Sequence, residues 1–340
     1  MMRFRNVAEK NGRQKPIEKN LFGFARQNIM LLVLLVVALT LVLVLVPQFF
    51  SSLNIANVAR QSSVTGIIAV GMTFVILTGG IDLSVGGTLA VAGILFSIMA
   101  RSGCNIVLCL ACSLLAGVIV GMVNAIGVEF FGIQPFIMTL ATASIINGAA
   151  FLICNGIPVE FNQVQTPLVD FLGNGNVGLV PGPFILFLAM TVASAVILRY
   201  TPFGRYVYSV GSSFEGARLA GIRTTRVVLS TYVICGVCAA LGGVITACRL
   251  YVGHPVAGGS AALDAIASIV IGGTRLSGGR GTVVGTALGV LLMTVTANIL
   301  NLLGISSYVQ QVVKGFIIIV AILLSNKSIK SYVQRAWRGM

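Results

Sequence analysis

Ten stretches of this chain are apolar, many of them near the length that crosses a lipid bilayer and two, 86–100 and 262–271, short of it, and few charges interrupt them. They cover residues 28–46, 62–78, 86–100, 106–128, 135–154, 181–200, 227–249, 262–271, 282–300 and 308–325. A helix needs about 20 such residues to cross the hydrocarbon core. The chain is 57% hydrophobic and only 9% charged, against roughly 25% charged in soluble domains. Inside a bilayer the backbone must satisfy its own hydrogen bonds, which leaves helices or closed barrels. Barrel strands alternate apolar and polar residues over ~10 positions, whereas these runs are continuously apolar. The sequence therefore predicts an all-α, polytopic membrane protein with about ten transmembrane helices.

The charge pattern orients it. The net charge is +14, with 22 Lys and Arg. Seven precede the first run, five lie in the loop 199–226, two are Arg275 and Arg280, and four follow the last run. The positive-inside rule places all these regions in the cytoplasm. Both termini are then cytoplasmic: a basic arm at 1–27 and a basic tail at 326–340 flank a transmembrane domain at 28–325. The loop 155–180 has no Lys or Arg and is external. Membrane lipid, and not nucleic acid, accounts for the basic balance. Arg60, Arg101 and Arg249 are left on the outer side, and Lys314 lies inside the last run. The run at 28–46 is too long for a cleaved signal and lacks a small-x-small site, so it reads as a retained signal anchor.

Two polar, glycine-punctuated breaks interrupt the apolar pattern. Gly79-Gly80-Ile81-Asp82-Leu83-Ser84-Val85-Gly86 is echoed by Gly272-Gly273-Thr274-Arg275-Leu276-Ser277-Gly278-Gly279; both read Gly-Gly-x-x-Leu-Ser-x-Gly. Matching interruptions suggest two related parts with a path between them. Two readings stand: a tight turn capped by Asp82 and Ser84, or a re-entrant hinge that shapes a gate. Both breaks fall on the cytoplasmic side by charge, and Asp82 is expected at a helix end or in a polar cavity.

The loop 199–226 is long for a bare connection. It holds two short amphipathic segments around Gly211-Ser212-Ser213. The second is predicted to start near Ser213, carry Glu215 in its first turn and stop at Gly221. Its mix of small, apolar and charged residues suits docking. Within the runs, Asn124, Thr139, Asn147 and Asn298 are either inter-helix glue or the lining of a path for an uncharged, hydroxyl-rich solute. The C-x-x-C pairs Cys109/Cys112 and Cys235/Cys238 lie inside apolar helices and read as small packing residues. There is no G-x-x-x-x-G-K-[ST] loop for ATP, and the single histidine argues against hydrolytic chemistry.

The stretch from Ala69 to Gly86 resembles the signature of bacterial sugar importer permeases of the ABC class, in the ribose-type branch. Further stretches match in order: Gln134-Pro135-Phe136-Ile137, Gly204-Arg205-Tyr206, Leu263-Asp264-Ala265-Ile266-Ala267 through Gly272-Gly273-Thr274, and Asn301 to Tyr308. The resemblance covers roughly 28–325. It implies ten-helix subunits working in pairs, as a homodimer or with a close paralogue, in the inner membrane. A cytoplasmic ABC ATPase would hold ATP and Mg, with no cofactor on this chain, and a periplasmic sugar-binding protein would deliver the solute. Gly204, Arg205, Gly211, Glu215, Ala217 and Gly221 would belong to the loop that docks into the ATPase. Gly216 stands where other importers carry a second alanine.

The expected function is a permease subunit moving a small sugar inward, with no catalytic or metal-binding residue. Gly79, Gly80, Asp82, Ser84, Gly272, Gly273 and Ser277 are expected at the gate or hinge, and Arg60, Arg101 and Arg249 at the binding-protein face. The rival readings are a secondary transporter or facilitator acting alone, and a structural or signalling membrane subunit.

Overall fold

The computed structural model describes residues 47–161 and 166–325. The basic arm, the first apolar run and the C-terminal tail lie outside these residues. Twelve helices are described, from α1 to α12. Six are long and apolar enough to cross a membrane: α1 (Ser52–Leu77), α3 (Ile106–Glu129), α4 (Pro135–Ile153), α6 (Gly182–Tyr200), α9 (Thr224–Leu250) and α11 (Val283–Leu302). Between them lie the shorter apolar helices α2 (Val85–Arg101) and α10 (Ala261–Ile271). The remaining helices are α5 (Pro167–Leu172), α7 (Pro202–Ser212), α8 (Phe214–Leu219) and α12 (Ser307–Ser325).

Most helix ends fall within a few residues of expectation, because local chemistry marks them. Asn105 accepts the Val107 N–H at 2.9 Å to start α3, Pro135 opens α4, and Thr282 caps α11 through the Gly285 N–H at 3.0 Å. Helix α1 departs from the pattern. Its apolar run begins only at residue 62, but a 3-10 turn at Pro47–Phe50 gives way to helix from Ser52. Asn54, Asn57 and Arg60 break the apolar run without breaking the helix. They sit on its N-terminal half, where Arg60 donates to the Asn174 carbonyl and to Asn176 Oδ1, both at 2.9 Å.

The loops around 155–181 and 252–253 add small β elements that the all-α reading lacked. Val159–Glu160 (β1) pairs antiparallel with Val252–Gly253 (β4), and Asn176–Val177 (β2) with Val180–Pro181 (β3). The first pair staples the 155–180 loop to the exit of α9.

Helix α9 is the hub of the core and packs against α1, α2 and α3. Small residues bring the backbones together, since van der Waals contact replaces the hydrophobic drive between helices in lipid. A Cβ on Gly117 of α3 would overlap the Gly236 carbonyl of α9, and a Cβ on Gly93 of α2 would meet the Gly243 carbonyl at 3.0 Å. Cys238 fills the space over Gly71 of α1, a packing role for one of the C-x-x-C cysteines.

After α9 the chain does something that hydropathy did not indicate. The segment 249–262, expected outside, turns inward. Gly253 packs on Gly93, Ile94 and Ser97 of α2, and Gly258 packs on Gly86 at the start of the same helix. Seven residues of α2 separate those contacts, about 10 Å along its axis. Non-helical backbone at that depth is tolerated where it is buried in protein or lines a water-filled cavity; α2 covers one side of this segment, at Gly253 and Gly258, while Val256, Ala257, Gly259 and Ser260 are exposed. Helix α10, with 11 residues, then completes the crossing.

Candidate functional site

The two glycine breaks are helix-ending caps of one kind. At the end of α1, the Gly79 N–H donates to the Ile76 carbonyl at 2.9 Å and the Gly80 N–H to Val75 at 3.0 Å. At the end of α10, the Gly273 N–H donates to Val270 at 2.9 Å and the Thr274 N–H to Ile269 at 3.1 Å. This is the Schellman pattern, with a left-handed residue just past the helix. Gly79 takes φ 88° and Gly273 takes φ 85°. The equivalent residues are thus Gly79 and Gly273, one position off the sequence echo.

The breaks meet each other and the loop between α6 and α9. The Gly279 N–H donates to the Leu77 carbonyl at 3.0 Å. The C-terminal end of α7 is pressed into the same place: a Cβ on Gly211 would overlap the Leu77 carbonyl oxygen and come within 2.6 Å of Gly279 N. Tyr208 Oη donates to the Gly281 carbonyl at 2.9 Å, and Phe203 stacks on Phe74 of α1 with ring centroids 6.3 Å apart. Burial pushes the Tyr208 phenol above its usual pKa. Both breaks and α7 therefore form one backbone-to-backbone junction on a single face of the molecule.

The first break continues into a sealed polar cluster. Asp82 Oδ1 accepts from the Ser84 N–H at 2.9 Å, Ser84 Oγ at 2.6 Å and Asn124 Nδ2 at 3.3 Å. Asn124 Nδ2 also donates to Ser84 Oγ at 2.8 Å. Asp82, Ser84 and Asn124 are all buried. Thr139 Oγ1 and Tyr232 Oη reach the Ile81 carbonyl at 3.2 Å and 3.4 Å. Ser84 occupies the N-cap position of α2 without making a side-chain cap bond; its hydroxyl serves Asp82. The cluster ties the break to α3, α4 and α9.

Other predicted residues scatter. Ser277 is exposed and has no structural counterpart in Ser84. Asn147 is exposed on α4, with its amide oxygen toward Gly87. Asn298 exchanges amide hydrogen bonds with Asn54 at 2.9 Å. Gly204 packs on the Leu198 carbonyl, while Arg205 and Glu215 face outward. Ser213 caps α8 through the Gly216 N–H at 3.1 Å, Ala217 is buried, and Gly221 takes φ 79°. Arg101 is exposed, while Arg60 and Arg249 lie close enough together to repel. Lys314, inside the last apolar run, pairs internally with Asp264 at 2.9 Å.

Residues 54–322 match the family described as branched-chain amino acid transport system / permease component. The chain belongs to this family: it is a multi-pass inner-membrane permease, a transport subunit of an ABC importer and not an enzyme. Such permeases work with an ATPase and a substrate-binding protein. Ribose import permease protein RbsC of Bacillus subtilis (strain 168) is 43% identical over 293 residues, covering 86% of this chain and 91% of its own length. The RbsC protein of Escherichia coli (strain K12) is 39% identical over 297 residues, 87% of this chain and 92% of its own. Galactofuranose transporter permease protein YtfT of Escherichia coli (strain K12) is 33% identical over 287 residues, 84% of this chain and 82% of its own. No solved structure matches.

Proposed function

We propose that this chain moves a small neutral sugar, a pentose or hexose, inward through a ten-pass subunit with cytoplasmic termini. It works beside a second copy or a close paralogue. The observation that carries the coupling is the junction of α7 with both glycine breaks. A cytoplasmic ATPase holding ATP and Mg docks on the 199–226 loop, with Arg205, Glu215 and Gly221 toward it. Movement of α7 then displaces the ends of α1 and α10 together, because the Leu77 carbonyl, Gly211 and Gly279 leave no slack between them. The Asp82 cluster anchors the far side of the first break, so the hinge is the short segment from Thr78 to Ile81. At the outer face, Arg101 and the Arg60/Arg249 pair are available to acidic groups of a sugar-binding protein. The sugar assignment is supported by the sugars for which the relatives are named, ribose and galactofuranose, and by the lack of a carboxylate relay for protons among the described residues.

The test is reconstitution. Uptake of labelled D-ribose into proteoliposomes should require ATP, the ATPase and the binding protein together. A Glu215→Lys change should release the ATPase from the permease in co-purification. Uptake by the chain alone, driven by an ion gradient, would sink the proposal in favour of a secondary transporter.

A further inference from the structure

We propose that Ser260, Asp264 and Lys314 form a transit site for sugar hydroxyls half-way across the membrane; this rests on the importer reading above. The depth follows from helix register. The Ser268 carbonyl lies against Gly289, and Gly272 lies against Gly285, so α10 and α11 run antiparallel with small residues in contact. One turn further along α10, Asp264 is level with Met293, near the middle of the 20-residue α11. Lys314 lies two turns inside α12. Asp264 and Lys314 form the single ion pair among the described residues, with Nζ at 2.9 Å from Oδ1 and 3.1 Å from Oδ2. Ser260 Oγ completes the group, donating to Asp264 Oδ2 at 2.9 Å.

Ionisable side chains at this depth are costly, and in membrane proteins they mark solute pathways. Asp82, the other deep ionisable side chain, is sealed at 1% exposure. The pair is not: the Lys314 and Asp264 side chains are 28% and 19% exposed. The helix that carries Asp264 is discontinuous, entered at mid-depth from the inward-folded segment around Gly258, and such half-helices carry binding sites in other transporters.

The chemistry selects a ligand class. The pair has no net charge, so it offers nothing to a free anion or cation. It presents carboxylate acceptors beside ammonium donors, with a hydroxyl able to do both. Adjacent sugar hydroxyls need that alternation: one donates to Asp264 while its neighbour accepts from Lys314. The pair already satisfies itself, so the sugar exchanges bonds and does not gain them outright. Binding is therefore weak, as passage requires.

The test uses the full-length chain. In nanodiscs, saturation-transfer NMR reads contact with D-ribose and D-galactose. In proteoliposomes with the ATPase and binding protein, uptake is measured over a panel of labelled neutral pentoses and hexoses. Asp264→Leu/Lys314→Met replaces the ion pair by apolar packing. It should abolish saturation transfer and lower uptake at least tenfold, with ATP hydrolysis within twofold of the parent. Asp264→Asn keeps the shape and one acceptor, and should lower uptake about fivefold with unchanged assembly. Parental uptake and saturation transfer in the apolar double variant would make the pair a structural tether only; that overturns the site and leaves the importer standing. No ATP-driven uptake of any sugar in the panel by the parent chain would overturn both.

Discussion

Gly211→Ala tests the coupling junction more sharply than any charge change. Gly211 lies in α7, in an ordinary helical conformation, so alanine there should favour the isolated helix by about 1 kcal/mol. The junction reverses the sign. The added methyl would overlap the Leu77 carbonyl and stand 2.6 Å from Gly279 N. Overpacking of that kind costs typically 1–3 kcal/mol. It also breaks the Gly279 N–H bond to Leu77, and a half-buried donor left without a partner adds about 1–3 kcal/mol. After the helix gain is subtracted, α7 loses roughly 1–5 kcal/mol of docking on the breaks. At about 1.4 kcal/mol per tenfold, the docked state falls by a factor of about 5 at the least and about 100 at the middle of that range. The assay is ATP-driven sugar uptake set against ATP hydrolysis in proteoliposomes. The expected outcome is hydrolysis that persists while uptake collapses. Unchanged uptake, or a higher melting temperature with normal coupling, would refute the reasoning, because it would mean that helix propensity outweighs the junction.

Two further outcomes follow from the same geometry. Asp82→Leu should lower the thermal stability of the detergent-solubilised chain severely, by about 3 kcal/mol or more. It removes the acceptor for three donors, whereas Asp82→Asn, which keeps an oxygen there, should cost about 1 kcal/mol. Tyr208→Phe should weaken the junction by about 1 kcal/mol through the lost bond to Gly281. Because burial raises the Tyr208 pKa, the folded state holds the phenolic proton more tightly than the unfolded chain. Stability from this group is complete below pH ~10 and declines as pH rises from there through the folded value. Melting temperatures from pH 8 to 11 should lose that alkaline component in Tyr208→Phe.

What the sequence made legible depended on whether the cause was local. The caps at Asn105, Ser213 and Thr282, the proline at 135 and the stop at Gly221 are local, and those helix ends were readable. The split of the 199–226 loop around Ser213 was readable for the same reason. Hydropathy failed where polar residues sit on a continuing helix, as at Asn54 and Arg60, and where irregular backbone runs into the protein. The segment around Gly258 looks like an outer loop until Gly86 is known to lie beneath it. Asn124 was visible as a polar residue in an apolar run, but its place on Asp82 depends on α3 crossing the break. The pairing of Lys314 with Asp264 spans 50 positions and leaves no local trace.

The echo between the breaks shows the limit of reading repeats by alignment. Sequence matches Gly79 to Gly272 and Gly80 to Gly273, but cap hydrogen bonds match Gly79 to Gly273. Beyond the caps the parts diverge. Helix α1 is 26 residues long and α10 is 11, and the second break is longer before α11 begins at Val283. The shared feature is a way of ending a helix, used twice on one face in the same sense. An inverted pair would have put the two caps on opposite faces, where they could not touch. Substitution separates the two alignments. Gly79 and Gly273 have positive φ and no close neighbour for a Cβ, the nearest being the Ser277 carbonyl at 3.8 Å from Gly79. Alanine at either should cost only the left-handed penalty, about 1–2 kcal/mol. Gly272 has an ordinary helical φ of −63°, but its Cβ would overlap the Gly285 backbone of α11. Gly272→Ala must therefore push α10 from α11 and should be the most damaging of the three in thermal unfolding. If Gly79→Ala matched Gly272→Ala and differed from Gly273→Ala, the alignment by sequence would be right and the alignment by cap hydrogen bonds wrong.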